Sequence, residues 1–239
     1  MARRSARFIM CCALVLLSVR AAPATAQGTA PTGREIKWVR DSWEYGELTR
    51  QIYGQATDAV LAAADRQRGP WVVVLDLDET VLDNSVYQLE RAAYGLPFDS
   101  VSWNAWVRRA EAGPVPGVAD FIGAVRRAGG RIAFISGREE STAEATRRNL
   151  AALGLTQDGD LICLRDAAST YTKRIRRTEI RTGSGRCAWD GPVPAMLYLG
   201  DAMGDFPDAD EEPGAFGVRY FILPNPMYGS WERRVTKKP

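Results

Sequence analysis

The sequence predicts an α/β fold: a central parallel sheet with helices on both faces. Three observations lead there. Short apolar runs at Trp71–Leu75, Arg131–Ile135, Leu161–Leu164, Ala195–Leu199 and Val218–Leu223 read as strands. Stretches with apolar residues at helical spacing alternate with them, and strands alternating with helices build parallel sheets. Trp71–Leu75 is apolar without interruption, as a strand buried on both faces is. The composition, 46% hydrophobic and 25% charged over 239 residues, is that of a globular chain and excludes disorder, collagen and simple repeats. The length suits one domain with a decorated core, or at most two small ones.

Residues 1–26 read as an export signal. Arg3, Arg4 and Arg7 precede an apolar stretch from Phe8 to Val19 that is too short to span a bilayer, and Ala24-Thr25-Ala26 fits the small-x-small cleavage rule. Residues 27–34, rich in Gly, Thr and Pro, read as a flexible leader, and 35–239 as a single domain. From Glu35 to Arg66, Trp38, Leu48, Ile52, Ala56, Ala59, Val60 and Ala63 recur at helical spacing, giving one or two helices. Gly69-Pro70 ends this region before the first strand. Residues 83–115 follow no single period and read as a small helical insertion. Val118–Ala128 is an amphipathic helix ended by Gly129-Gly130, and Glu139–Leu153 a helix closed by Gly154. Thr170–Ile180 is a basic helix, and Arg181–Pro194 a Gly/Pro-rich loop.

Cleavage after Ala26 removes four arginines and no acids. It leaves 27 basic against 29 acidic residues, a charge of −2 instead of +2. The precursor's basic balance is therefore no argument for a nucleic-acid partner. Two cysteines leave with the signal. Cys163 and Cys187 remain, in a compartment that permits disulfides, and are expected to pair. The chain has no histidine, which excludes a Ser-His-Asp or Cys-His engine and His-ligated zinc or haem. Chemistry must come from carboxylates, Lys, Arg, hydroxyls or Cys, with a hard metal.

In open parallel sheets ligands sit beyond the carboxyl ends of the strands. Those positions here are Asp76-Leu77-Asp78-Glu79-Thr80, Ser136-Gly137-Arg138, Arg165-Asp166 and the run from Gly200 to Asp205. Asp76 and Asp78, two apart at a strand end, can face one pocket. Two buried acids repel, and a divalent cation resolves the conflict, with Asp201 able to supply a further ligand. The alternative is a pair of acids in a surface turn.

DLDET at 76–80 resembles motif I of the haloacid dehalogenase (HAD) superfamily. ISGR at 135–138 resembles motif II, Lys173 the motif III lysine, and GDAMGDF at 200–206 motif IV. The match narrows to the lipoprotein e(P4)-like class C acid phosphatases, a 5′-nucleotidase type. It narrows through WVRDSWEYGELTRQIYGQA (38–56), LDETVLDNSVY (77–87), FDSVSWNAWV (98–107), PVPGVADF (114–121) and LPNPMYGSWE (223–232). The resemblance departs at the absent lipid-attachment Cys, at Ser-Gly-Arg in place of Thr-Asn-Arg in motif II, and at the longer 181–194 loop. It implies a HAD-like Rossmannoid three-layer fold with 83–115 as a small cap after the first strand. Asp76 would be the nucleophile forming an aspartyl-phosphate, and Asp78 the acid and then the base. Mg²⁺ would be held by Asp76, the Asp78 carbonyl and Asp201, with Asp205 orienting a water bound to it. Ser136 and Lys173 would hold the phosphoryl oxygens.

Of the remaining residues, Trp103, Trp106 and Tyr228 are candidates to stack on a leaving group, and the resemblance raises Trp103 and Tyr228 toward substrate contact. Arg138 either binds phosphate or caps its helix. Arg174 and Arg177 read as a solvated basic face, Asp208–Glu212 as a solvated acidic loop, and Asp83-Asn84 as site or helix cap. The expectation is an exported, periplasmic or secreted, Mg²⁺-dependent phosphatase of small phosphomonoesters, 5′-nucleotides first, with no nucleic-acid polymer as partner and no membrane anchor. The alternatives are phosphoryl transfer by the same site and a non-catalytic binding or storage protein on the same fold. Oligomeric state is open.

Overall fold

A computed structural model describes residues 33–233. The expected signal segment 1–26, its cleavage point at Ala26 and most of the leader lie outside the described residues. Helix α1 spans Arg34–Asp41 and α2 Trp43–Ala64. Ser42 separates them. Its hydroxyl donates to the Trp38 carbonyl (2.6 Å), closing α1, and accepts from the Tyr45 amide (3.1 Å), capping α2. The buried stripe of α2 is Tyr45, Thr49, Tyr53, Ala56 and Val60, so the helix is rotated from the expected face and Leu48 is left exposed. A hydroxyl with a partner explains the rotation: Tyr53 reaches the Thr80 carbonyl at 2.5 Å.

Strand β1, Val72–Leu75, is followed by a tight turn and the two-residue β2, Leu82–Asp83. Helices α3 (Ser85–Ala93) and α4 (Ser100–Arg109) come next, then β3 (Gly113–Pro114), which pairs antiparallel with β2 and closes the excursion at its base. Asp99 starts α4 by accepting from the Val101 and Ser102 amides. Helix α5 is Val118–Arg127.

Strand β4 runs Arg131–Glu139, past the expected end at Ile135. Glu139 pairs with Arg165 of the next strand both in register and as an ion pair at 2.8 Å, which holds it extended. A single 3₁₀ turn over Glu140–Thr142 intervenes, and α6 (Ala143–Ala152) starts later than expected. Strand β5 is Leu161–Arg165 and helix α7 Lys173–Thr182, with Thr172 as its cap. Strand β6 is Ala195–Gly200 and β7 Tyr220–Ile222.

The sheet order is β5-β4-β1-β6-β7, all parallel. From β1 the chain steps outward on one side through β4 and β5, then crosses to β6 on the other. The carboxyl end of β1 is thus the switch point where a crevice opens. Strand alternation sends Val73 and Leu75 to one face, against Tyr53, Ala56 and Val60 of α2, Phe121 and Ile122 of α5 and Leu150 of α6. It sends Val72 and Val74 to the other, against Ile180 of α7 and the loop residues Cys187, Val193 and Phe206. Among the described residues the second face has one helix where the first has three, and it carries the disulfide and a buried ion pair. Cys163 and Cys187 form a disulfide across 24 positions, a closure that contributes roughly 3 kcal/mol. The Arg177 and Glu211 side chains, 5% and 2% exposed, form an ion pair at 2.8 Å. Arg177 is therefore not on a solvated face and Glu211 not in a solvated loop. Arg174, paired with Asp210, remains exposed as expected.

Candidate active site

The β1 strand leads directly into the site. The Asp76 amide donates to the Leu199 carbonyl at 2.9 Å, so the chain is still held to β6 where the carboxylate projects. It then curls: the Leu77 carbonyl accepts from both the Val81 and Leu82 amides, and Glu79 takes a left-handed φ of 58° to make the turn. Asp76 and Asp78 both line one cavity of about 560 Å³ at the switch point, with Lys173, Asp201, Asp205, Phe98, Trp103 and Tyr228.

Around Asp76 the surroundings are acidic. Oxygens of Asp76, Asp201 and Asp205 lie within 4.8 Å of one another. Lys173, the first residue of α7, places Nζ 2.5 Å from Asp76 Oδ1 and also donates to Asp205 Oδ1. Burial pushes Asp76 well above the usual carboxylate range, opposed by Lys173 and reinforced by Asp205, Asp201 and Asp78. Burial and the Asp205 charge push Asp201 up to about 7, while a hydrogen bond from Asn225 (2.8 Å) works against them. Burial works to lower the Lys173 pKa, but its two carboxylates more than offset that and raise it. Three carboxyl groups thus share one ammonium in a site lined by oxygen donors. That donor set fits a hard divalent cation and does not fit a soft one. Gly200 makes the arrangement sterically feasible, since a Cβ there would lie 2.3 Å from the Asp205 side chain.

Around Asp78 the surroundings are donors. Arg138, almost completely buried, gives Nε (2.9 Å) and Nη2 (2.8 Å) to Asp78 Oδ1. Asn84 Nδ2 adds a third donor to the same oxygen at 3.0 Å. Ser136 donates its hydroxyl to the other oxygen, Oδ2, at 3.2 Å and accepts from the Arg138 amide. The Asp78 carboxylate is not in the acidic group, which leaves its backbone carbonyl as the metal donor the resemblance named. Arg138 neither caps a helix nor stands free for phosphate, because it is ion-paired with Asp78.

Of the aromatic candidates, Trp103 and Tyr228 line the cavity. Trp106 is buried core, its indole N–H donating to Asn84 Oδ1 at 2.8 Å. Asp83 and Asn84 divide the two roles considered for them: Asp83 accepts from the Ser85 amide at the start of α3, and Asn84 faces the site. Sequence reasoning assigned no role to Glu79. It is buried, accepts from the Tyr228 hydroxyl and the Asn84 amide, and is pushed well above its ordinary pKa by burial and by Asp78 and Asp201. It also missed Asn225 and the partner of Arg138. All lie inside segments that resemble the class C enzymes, which was the available signal.

The profile of the HAD superfamily, subfamily IIIB (acid phosphatase), matches residues 10–231. A class C acid phosphatase from Bacillus anthracis, solved with tungstate bound, is similar at a TM-score of 0.73 and 30% identity, covering 83% of this chain and 85% of that one. "Acid phosphatase 1" of Solanum lycopersicum is 29% identical over 203 residues, 82% of this chain and 69% of that protein. The "Stem 31 kDa glycoprotein" of Glycine max is 29% identical over 164 residues, 66% of this chain, which spans 59% of that protein.

Proposed function

We propose, for a chain that belongs to subfamily IIIB of the HAD superfamily, the acid phosphatases, that Asp76 and Asp78 divide the hydrolysis of small phosphomonoesters between them, with 5′-nucleotides the leading substrates. The chain is a phosphomonoesterase. The observation that carries the mechanism is the unequal setting of two carboxylates in one cavity.

Asp76, beside Lys173, attacks phosphorus to give an aspartyl-phosphate, which splits one hard displacement into two easier ones. Lys173 holds a phosphoryl oxygen and supplies positive charge where negative charge gathers, and the buried Ser136 hydroxyl, which donates to Asp78 Oδ2 here, would have to turn from it to hold another. Asp78 gives its proton to the leaving oxygen and takes one from the water that follows. Asp76, Asp201 and the Asp78 carbonyl would hold Mg²⁺, with Asp205 behind them. When bound, the ion neutralises charge between an anionic nucleophile and an anionic phosphate. The tungstate in the similar Bacillus anthracis enzyme supports an oxyanion site in this fold. Trp103, Phe98 and Tyr228 on the cavity wall support a flat leaving group such as a nucleobase. Export is supported by the Cys163–Cys187 disulfide. Among the described residues no helix is long and apolar enough to cross a membrane.

The test is inorganic phosphate release from nucleoside monophosphates, sugar phosphates and aryl phosphates, each with Mg²⁺ and with EDTA. Metal-dependent release with nucleotides preferred is expected. No release from any substrate would overturn the reading, and release unaffected by chelation would remove the metal from it.

A further inference from the structure

Arg138 and Asn84 are nearly devoid of solvent exposure, at 1% and 0%, and both aim donors at one atom. Arg138 Nε, Arg138 Nη2 and Asn84 Nδ2 lie 2.9, 2.8 and 3.0 Å from Asp78 Oδ1. An sp² carboxylate oxygen receiving three donors has no lone pair left for a proton. Among the described residues the other oxygen, Oδ2, meets only the Ser136 hydroxyl, at 3.2 Å. The two gripping residues are themselves fixed. Arg138 Nη1 donates to Thr146 Oγ1 (3.2 Å) in α6, and Asn84 Oδ1 accepts from the Trp106 indole (2.8 Å) in α4. Neither can swing away without leaving a buried polar group unpaired. Rotation of the Asp78 carboxylate is therefore blocked from both flanks.

We infer that Arg138 and Asn84 are positioning residues that reserve Asp78 Oδ2 as the proton-carrying oxygen and point it at the leaving group. The inference rests on Asp78 being the acid of the phosphatase reading. As the bond between Asp76 and phosphorus forms, the ester P–O bond breaks, its electron pair stays on the leaving oxygen, and that oxygen takes the proton from Oδ2. In the second half Oδ2 takes a proton from water as the water oxygen bonds to phosphorus and the Asp76–phosphorus bond breaks. Oδ1 stays with its three donors throughout.

A positioned acid matters in proportion to how poorly the alcohol leaves. The experiment compares kcat/KM, which reports the first half-reaction, for an alkyl phosphate such as a nucleoside 5′-monophosphate and for 4-nitrophenyl phosphate, whose phenolate needs little protonation. In Arg138→Met and in Asn84→Ala the alkyl value should fall roughly 100-fold, the usual worth of a general acid, and the aryl value less than about tenfold. Competitive inhibition by inorganic phosphate should stay within about threefold of the unsubstituted protein. Arg138→Lys, which returns the charge and one donor, should recover part of the alkyl activity. Equal losses on both substrates in the folded variants would mean a merely structural role and overturn the inference, as would no loss on either. Asn84→Ala keeps the Arg138–Asp78 pair and decides the matter if Arg138→Met does not fold. If the unsubstituted protein releases phosphate from neither substrate, it is the phosphatase reading that fails. If it hydrolyses both and the variants show no leaving-group bias, only this assignment fails.

Discussion

Asp76 and Asp78 are the same residue type, two positions apart, in one cavity, yet their neighbourhoods are opposites. Asp76 sits among acids, relieved by one ammonium. Asp78 sits among donors, gripped by a guanidinium and an amide. The backbone explains how neighbours in sequence come to differ so much. Asp76 is the last step of an extended strand still bonded to β6, on the side where β6 and α7 bring Asp201, Asp205 and Lys173. One residue later, at Leu77, the chain enters the turn that contains left-handed Glu79, and this places Asp78 on the side where β4 brings Ser136 and Arg138. A pair of titratable groups with contrasting environments is how one site holds two roles. The switch point of the sheet supplies the contrast, because each carboxylate inherits the strand on its own side.

The sharpest way to break the comparison is Asp76→Asn. Phosphate release should fall by roughly 10⁴-fold or more, the scale of losing a nucleophile, while thermal melting in EDTA should not drop, since one charge leaves a crowded acid cluster. Substantial activity in that variant would refute the division of roles. Next comes the cation. Mg²⁺ should raise the melting temperature of the metal-free protein, because an ion bound only by the folded state stabilises it, by about 2.7 kcal/mol at a hundredfold excess over Kd. Asp201→Asn should abolish that shift, whereas Asn84→Ala, on the other side of the comparison, should leave it. A shift that survives in Asp201→Asn would place the cation elsewhere. Gly200→Ala is milder. The new Cβ must push Asp205 aside, so Lys173 loses part of its seat. A displacement of that kind should lower kcat by roughly 10- to 100-fold, and because the Cβ of buried Asp205 itself must move, the melting temperature should fall as well. An unaltered kcat would show that Asp205 does not set the position of Lys173.

The Asp76 side of the site was more legible in the sequence than the Asp78 side, for a physical reason. Asp76, Lys173, Asp201 and Asp205 stand at strand ends and at a helix start, and the alternation of strands and helices already says where those meet. The five strands were legible from short apolar runs, uninterrupted at Trp71–Leu75 and broken by Arg219 in the last. Arg138, Asn84 and Glu79 are different. Their roles depend on pairings made through a turn, as between Tyr228 and Glu79 across 149 positions, and no local period encodes those. The buried face of α2 was misjudged because Thr49 and Tyr53 are polar by composition and buried only because their hydroxyls find carbonyls. The late start of α6 depended on an ion pair between two strands.

The smallest expected effect on turnover, and an informative one for the fold, lies on α7 itself. Lys173 and Arg177 are one turn apart on that helix, both cations and both facing carboxylates, but Arg177 answers to Glu211. Burial tends to raise the Glu211 pKa, and the Arg177 hydrogen bonds and the Asp208 amide more than offset that, so the folded value lies below the ordinary 4.5. A carboxyl with a depressed folded pKa stabilises the fold fully above its unfolded value, and that contribution is lost as pH falls through the folded one. Glu211→Gln strands a buried guanidinium, so at pH 7 it should cost about 3 kcal/mol in denaturant unfolding with kcat near that of the unsubstituted protein. The gap between the two proteins should then shrink below pH 4.5, because protonation does to Glu211 what the substitution does. A gap that stays constant down to pH 3 would mean that the Glu211 charge contributes nothing to holding α7, leaving the helix that carries Lys173 to its apolar packing and to Arg176, which donates to the Ser136 and Cys163 carbonyls.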